Sequence, residues 1–317
     1  MRALVCEELG SLSLRDLPTP EPGPGQVLIE VEAAGVNFVD GLFVQGRYQI
    51  KPPLPFVPGS EIAGTVVATG PDVTTPAPGT RVVAMCGLGG FATHITAPAL
   101  TTVPTTLDAP RAATFIQSYC TALFALKNRT TLAPNETILI LGAGGGVGLA
   151  AVQVAKALGA RVLAAASTPE KREAARSAGA DETIDTTDDI KTAARSLSDG
   201  GVDVIYDPVG GDLADPALRA LREGGRYTVI GFASGTIPSL PLNQVLLRNR
   251  TVVGVDWGAW QLHHPLEQRA LLETLLTWTD EGKITPPSPR TEPLERAAEV
   301  LADLHERRVV GKVALIP

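Results

Sequence analysis

Residues 138–148 read ILILGAGGGVG, an apolar run that passes straight into a turn almost free of side chains. Ala143, Gly145 and Gly148 hold the three small-residue positions of a dinucleotide fingerprint, the first as alanine rather than glycine. The first position allows the turn, the second lets backbone N–H groups approach a pyrophosphate, and the third lets helix and strand pack closely. A helix starting near Gly146, with Val147 and Gly148 in its first turn, aims free N–H groups and a partial positive charge at that phosphate. Alone, the motif also fits a tight helix–strand crossing with no ligand. Here it opens an alternating region, residues 130–260. Apolar strands (TILILG, RVLAAAS, ETID, VDVIYD, RYTVIGF, TVVGVDW) alternate with helical segments such as GLAAVQVAKALG and PEKREAARSAG. Strands apolar on both faces predict a doubly wound parallel sheet covered by helices, an α/β fold. A bound dinucleotide is the better reading.

The end of the second strand decides which dinucleotide. An NAD site usually carries Asp or Glu there to accept from the ribose 2′-hydroxyl. This chain has Ala164, Ala165, Ala166 and Ser167, with no acid until Glu170, and Lys171 and Arg172 follow. Ser167 can donate to a phosphate and the two cations attract one, whereas a carboxylate would repel it. Lys171 and Arg172 also suit an ordinary solvated first helical turn, so the missing acid carries more weight. The expected cofactor is NADPH.

The flanking sequence has a different texture. Residues 1–120 give short β segments (QVLIEVEAAGV, IAGTVVATG) between loops rich in Pro and Gly (PTPEPGPG, KPPLPFVPGS, TTPAPGT), the pattern of an irregular β barrel. After residue 262 come two amphipathic helical stretches, LEQRALLETLLTWTDEG and LERAAEVLADLHERR, then a last strand, VGKVALIP. The expected boundaries are residues 1–120, completed by 263–317, for the barrel domain and 121–262 for the nucleotide domain. A net charge of -7 and the lack of a basic run in the sequence argue against a nucleic-acid partner. Cys6, Cys86 and Cys120 lie far apart with no C-x-x-C, which excludes a disulfide framework and fits a reducing compartment. The start MRALVCEELG has no apolar signal core, so a cytoplasmic location is expected. Residues 137–155 carry no charge, yet GAGGGVG in their middle would break a spanning helix, and no membrane insertion is expected.

Several further motifs are specific in combination: GVNFVD at 35–40, PGSEIAGTV at 58–66, GGFATH at 89–94, DPVGG at 207–211, and VIGFASG, LPLNQVLLRN and VVGVDWGAW within 229–260. With the glycine turn, they make the chain resemble medium-chain dehydrogenase/reductases of the zinc-independent quinone oxidoreductase (zeta-crystallin-like) branch over its whole length. The resemblance implies a GroES-like irregular β-barrel catalytic domain, a Rossmann domain, a cleft between them, and NADPH-dependent reduction of a small-molecule quinone or activated alkene. It also implies nicotinamide contacts from Gly231, Phe232, Ala233 and Ser234 after RYTVIGF, from Trp257 and Gly258, and from Thr121. Many relatives carry a tyrosine after ETID near the 2′-phosphate; this chain has Thr186.

Relatives that oxidise alcohols hold a catalytic zinc with cysteine, histidine and a second cysteine, often with a glutamate after the histidine. The matching positions here are Asn37 and Ser60, with Glu61 retained. Amide and hydroxyl are poor zinc ligands, and Cys120, His94 and Glu61 match no zinc spacing, so no metal is expected. A simple ketone needs an electrophile or acid to stabilise its alkoxide, which zinc supplies in the alcohol dehydrogenases, whereas a conjugated acceptor spreads the arriving charge so that a few hydrogen-bond donors suffice. The expected reaction is hydride transfer from the nicotinamide C4 to a quinone or conjugated carbonyl, with the protein supplying orientation and hydrogen-bond donors. Asn37 and Tyr48 are the candidate donors; a loop-bracing amide and an aromatic wall are the plain alternatives. Asp40 is expected to order its loop and Asp207 its turn. His94 is expected to brace the GGFATH turn, and His263, His264 and His305 to sit on exposed faces. Leu42, Phe91, Trp257 and Trp260 are candidates for an apolar pocket. The rival readings are an enoyl-thioester or 2-alkenal reductase, a non-catalytic NADPH-binding protein, and, third, a zinc alcohol dehydrogenase. TVVGVDW, apolar and without proline, would be the sheet's open edge, and a homodimer that pairs two such edges is expected, the alternative being a monomer whose edge is covered by the preceding segment GTIPSLPLNQVLL.

Overall fold

The computed structural model describes residues 1–317. The chain divides into two units, Met1–Gln117 with His264–Asp280 and Pro286–Pro317, and Ser118–His263 with Glu281–Thr285.

In the first unit β1 (Arg2–Val5) and β2 (Ser13–Asp16) form an antiparallel hairpin. β3 (Gln26–Val36) is the spine of the main sheet, with Val27, Ile29 and Val31 turned to the core in strand alternation. α1 (Phe38–Val44) follows directly, its start fixed by the Asn37 N–H donating to Asp40 Oδ2 at 2.8 Å. β4 (Glu61–Thr69), β5 (Arg81–Met85), β6 (His94–Pro98) and β7 (Thr102–Pro104) complete the antiparallel pairings, β4 and β6 on either side of β3. His94 opens β6 with its ring nitrogen 3.1 Å from the Thr93 hydroxyl. The short helix α2 (Ala109–Ala113) is capped by Asp108, which accepts from the Arg111 N–H. α3 (Ile116–Leu123) carries the chain from one unit into the other.

The second unit holds six strands: β8 (Thr137–Leu141), β9 (Arg161–Ala166), β10 (Glu182–Asp185), β11 (Val202–Asp207), β12 (Leu221–Val229) and β13 (Thr251–Gly254). All pair in parallel in the order β10-β9-β8-β11-β12-β13, so the reversal of strand order falls beside β8 and the glycine turn. This is the doubly wound order whose ligands bind at the carboxyl ends of the strands. The expected α/β fold is observed. Every residue of β8 and β11 is buried, as strands covered on both faces require. α4 (Gly146–Ala157) and α5 (Pro169–Ser177) pack on each other. α6 (Ile190–Leu197) and α7 (Ala214–Ala220) cover Leu139, Leu141, Leu163 and Ile205, and Val245 of α8 (Leu242–Leu246) packs against that same core. The last strand ends at Gly254, sooner than TVVGVDW suggests, because Trp257 already begins α9 (Trp257–His263).

The chain then returns to the first unit through α10 (Pro265–Asp280), β14 (Arg290–Pro293), α11 (Ala297–His305) and β15 (Val313–Ile316). β15 pairs with β3 and β14 with β15. β14 reads RTEP, with no apolar alternation, and no sequence pattern announces it. Glu281–Thr285 belongs with the second unit because Thr285 exchanges two hydrogen bonds with Gln153 of α4, at 2.7 and 2.9 Å. No helix is long and apolar enough to cross a membrane.

Candidate functional site

The glycine turn is built in three distinct ways. Gly142 takes the left-handed conformation at φ +60°, so the turn's strained residue lies one position before Ala143. Ala143 itself is fully buried and donates its N–H to Ala165, extending the β8–β9 pairing, which explains why alanine serves there. A Cβ on Gly148 would lie 2.3 Å from the Gly142 carbonyl, so this glycine permits the helix–strand approach. A Cβ on Gly145 would meet only that carbonyl, at an ordinary 3.5 Å, and φ there is -91°. Nothing within the chain demands glycine at 145. The bare backbone there leaves room for a group from outside. Gly145 is the N-cap of the twelve-residue α4 with no side chain capping it, and Gly145, Gly146 and Val147 are part-exposed. A helix start with open N–H groups is an anion site, and the residues fit a dinucleotide pyrophosphate.

The corner that would meet a 2′-phosphate differs from its sequence reading. Ser167 is exposed at the end of β9, as a phosphate donor should be. Lys171 lays its stem over the turn, since a Cβ at Gly144 would come within 2.4 Å of the Lys171 Cβ. Arg172, expected to attract the phosphate or to be solvated, is ion-paired with Asp185 at the end of β10, 2.6 Å away, and also donates to the Ala166 carbonyl. The N–H and hydroxyl of Thr187, and then Arg172, hold the Asp185 carboxyl below its ordinary range. An acid therefore does stand at this corner, supplied by the third strand.

At the carboxyl edge Asp207 ends β11 and accepts from the N–H groups of Val209 and Gly210 and from the Tyr227 hydroxyl. It holds the DPVGG turn, as expected. Burial and then Asp207 push the Tyr227 phenol up, which keeps it a donor. Residues 230–234 lie along this turn, with Ala233 donating to the Pro208 carbonyl and Ser234 to that of Val209. A Cβ at Gly231 would meet nothing closer than 3.6 Å, and Phe232 is exposed, so this edge is open. Trp257 is buried at the start of α9, Gly258 and Thr121 are part-exposed, and Trp260 stacks on Phe124 at 4.5 Å.

In the first unit the positions matched to the zinc ligands form a buried polar network. Asn37 Nδ2 donates to Glu61 Oε1 at 2.9 Å and, more weakly, to Ser60 Oγ at 3.4 Å. Lys312 donates to Asn37 Oδ1 and, at 3.0 Å, to Glu61 Oε1. Gln117 completes the set, its N–H on Glu61 Oε2 and its side-chain oxygen accepting from Ser60. Both amide hydrogens of Asn37 are thus committed inside the protein, and Asn37 acts in this structure as the bracing amide rather than as a free donor. Lys312 and Gln117 escape a motif search: Lys312 stands 275 residues from Asn37 in an ordinary final strand motif. The donor set does not fit zinc. Amide and hydroxyl replace thiolate and imidazole, and the cation facing Glu61 is an ammonium.

Asp40 is fully buried in the same region, and burial raises its carboxyl to about 7 against the opposing pull of the Asn37 N–H and Lys312. Its Oδ1 has no hydrogen-bond partner. Cys86, bonded to the Gly59 carbonyl, has its thiol pushed up by burial and by Asp40 and Glu61. Tyr48 packs edge-on against Phe43, ring centroids 4.8 Å apart, and is part-exposed. Phe91, a candidate for a pocket wall, is wholly buried in the core, while Leu42 is part-exposed. His305 is also not on a free face, for it stacks on Phe38 at 5.1 Å.

A doubly wound sheet with an open phosphate turn defines a dinucleotide-binding protein, in a chain whose β unit holds a buried polar network without a zinc donor set. Two family profiles match: an alcohol dehydrogenase GroES-like domain over residues 23–107 and a zinc-binding dehydrogenase over residues 146–275. Quinone oxidoreductase-like protein 2 homolog of Nematostella vectensis is 39% identical, covering 99% of this chain and 88% of its own length. Quinone oxidoreductase-like protein 2 of Bos taurus is 38% identical, with 99% and 92% covered. Among solved structures, a mycobacterial protein complexed with NADPH matches at TM-score 0.92 and 34% identity over 100% of both chains. The quinone oxidoreductase of Thermus thermophilus, also solved with NADPH, matches at 0.85 and 34% over the same full lengths. The chain belongs to the medium-chain dehydrogenase/reductase superfamily, in its zinc-independent quinone oxidoreductase branch.

Proposed function

We propose that this oxidoreductase uses NADPH to reduce a quinone or another conjugated carbonyl compound without a metal. The observation that carries the reading is Gly145, which no neighbouring side chain crowds, at the part-exposed start of α4 where no side chain caps the open N–H groups. When bound, NADPH supplies the hydride. The N–H groups of Gly146, Val147 and Gly148 hold the pyrophosphate, and Ser167 and Lys171, with Arg172 shared with Asp185, meet the 2′-phosphate. Gly231, Phe232 and Ala233 on the open carboxyl edge, with Trp257, Gly258 and Thr121, orient the nicotinamide end. Tyr48 is the hydrogen-bond donor to the acceptor's developing oxyanion, and Asn37 is a positioning residue that fixes the Glu61–Lys312 network. The acceptor takes up hydride and one proton from water or a hydroxyl, and NADP⁺ leaves. The relatives named quinone oxidoreductase-like support the acceptor class. We further place the protein in the cytoplasm, as a homodimer.

The test is the rate of NADPH oxidation with 1,4-benzoquinone, 9,10-phenanthrenequinone, an alkenal and crotonyl-CoA. Quinones should turn over fastest. A marked preference for crotonyl-CoA would replace this reading with the enoyl-thioester reductase, and no turnover with any acceptor would favour a nucleotide-binding protein without catalysis.

A further inference from the structure

At the edge of the parallel sheet opposite the glycine turn, where β12 and β13 begin, Lys191, Arg195, Arg219, Gln244, Arg248 and Arg250 line a cavity of about 310 Å³. Every lining residue but Gln244 is cationic, and none is a carboxylate, in a chain whose net charge is -7. The sequence shows no such cluster because the residues come from α6, the end of α7 and the segment that leads into β13. The fold alone assembles it.

Internal partners account for only part of this charge. Arg250 is 6% exposed and gives its N–H groups to the carbonyls of Gln244 and Leu221 and, at 3.5 Å, to those of Arg222 and Arg219, with no carboxylate. Burial, then Arg248, Arg195 and Arg219, lower its pKa, the mark of a positive field without a counter-ion. Arg219 is paired with Asp215 at 2.8 Å. Arg195 and Arg219 stand in the last turns of α6 and α7, where a helix favours cations. Lys191, however, stands in the first turn of α6, where the helix disfavours one, and Arg248 lies on a loop. The Asp189 carboxylate is already occupied by the N–H groups of Lys191 and Thr192 and the Thr192 hydroxyl.

We propose that this cavity binds a small anion bearing two phosphate groups, at a site separate from the dinucleotide turn. The volume lies at the low end for ligand cavities and admits a small molecule rather than a macromolecule. The cations outnumber what one phosphate engages, and guanidinium forks match phosphate oxygens in pairs.

The experiment is calorimetric titration of the full chain with inorganic pyrophosphate, and with inorganic phosphate at equal ionic strength. Pyrophosphate should bind at least tenfold more tightly than phosphate. The exposed pair Lys191→Glu with Arg248→Glu should weaken it at least tenfold without loss of thermal stability, because like-charge repulsion is relieved. Gly145→Val, which blocks the glycine turn, should leave it unchanged. The proposal is overturned if no heat develops at millimolar pyrophosphate, or if Gly145→Val abolishes binding while the charge-reversed protein retains it. It is equally overturned if a short single-stranded oligonucleotide binds more tightly than pyrophosphate. A charge reversal that changes the assembled mass while pyrophosphate shows no binding would assign the cations to a second copy of the chain instead.

Discussion

Arg172 and Asp185 join the ends of the second and third strands through an ion pair of 2.6 Å, with both side chains largely screened from solvent. The arginine that a 2′-phosphate would use already has an anion. NADPH must share this cation, so its advantage over NADH is smaller than three free donors would give. One charge-assisted phosphate contact is worth about 1.5–3 kcal/mol, roughly tenfold or more in affinity. Fluorescence titration should show NADPH binding more tightly than NADH, Asp185→Asn widening the gap several-fold, and Arg172→Ala narrowing it with NADH little changed. Equal affinities in the parent would sink the assignment of this corner.

The Lys312–Glu61 pair is more deeply enclosed than the Arg172–Asp185 pair, with Glu61 wholly buried. Breaking a buried pair strands its partner's charge, at about 3–5 kcal/mol. Lys312→Met should lower stability in denaturant by that order, and adding Glu61→Gln should recover most of it. If the single variant is as stable as the parent, the network does not hold this part of the barrel. The same ammonium bears on metal content. Purified protein should carry no stoichiometric zinc and keep its activity in EDTA, and about one zinc per chain by elemental analysis would reverse that conclusion.

Asp40 gives a pH signature. Its folded pKa of about 7 lies above the ordinary 3.8, so between these values the folded chain holds a proton that the unfolded chain has released. Stability from this group is complete below about pH 4 and declines as pH rises through about 7. Asp40→Asn keeps an acceptor for the Asn37 N–H and removes the titration. Melting temperatures should therefore match the parent only below about pH 4, exceed it increasingly between about pH 4 and 7, and keep a constant margin near pH 8. Parallel pH profiles for the two proteins would show that Asp40 is ionised in the fold.

The doubly wound sheet was legible because period and composition are local properties: strands apolar on both faces, glycines where a turn and a helix meet. The phosphate turn was legible for the same reason, although Gly142 rather than Ala143 supplies the left-handed residue. What escaped depends on contacts across the sequence. Asp185 reaches Arg172 only because β10 lies beside β9, and Lys312 reaches Asn37 only because β15 pairs with β3. Asn37 reads as a free donor in GVNFVD until Glu61, Ser60 and Lys312 are seen around it. β14 is not legible because RTEP is held by its neighbour and has no strand pattern of its own.

Assembly follows from β13. It pairs only with β12, so its other edge is open, and the preceding segment forms α8 instead of covering it as a strand. Close by in sequence, Ile237, Leu242, Leu246 and Leu247 are each more than 70% exposed, and Val252 on the strand itself is 40% exposed. An open strand edge flanked by apolar side chains is an aggregation hazard unless it is paired. A two-fold axis beside β13 would let two copies satisfy each other's backbone and cover these leucines. Light scattering should give about twice the 33.1 kDa chain mass at micromolar concentration. Val253→Lys, and more strongly Leu246→Glu with Val252→Lys, should shift the protein towards monomer while NADPH titration stays unchanged. A parent mass near that of one chain would refute the dimer, and a fully dimeric double variant would place the interface elsewhere.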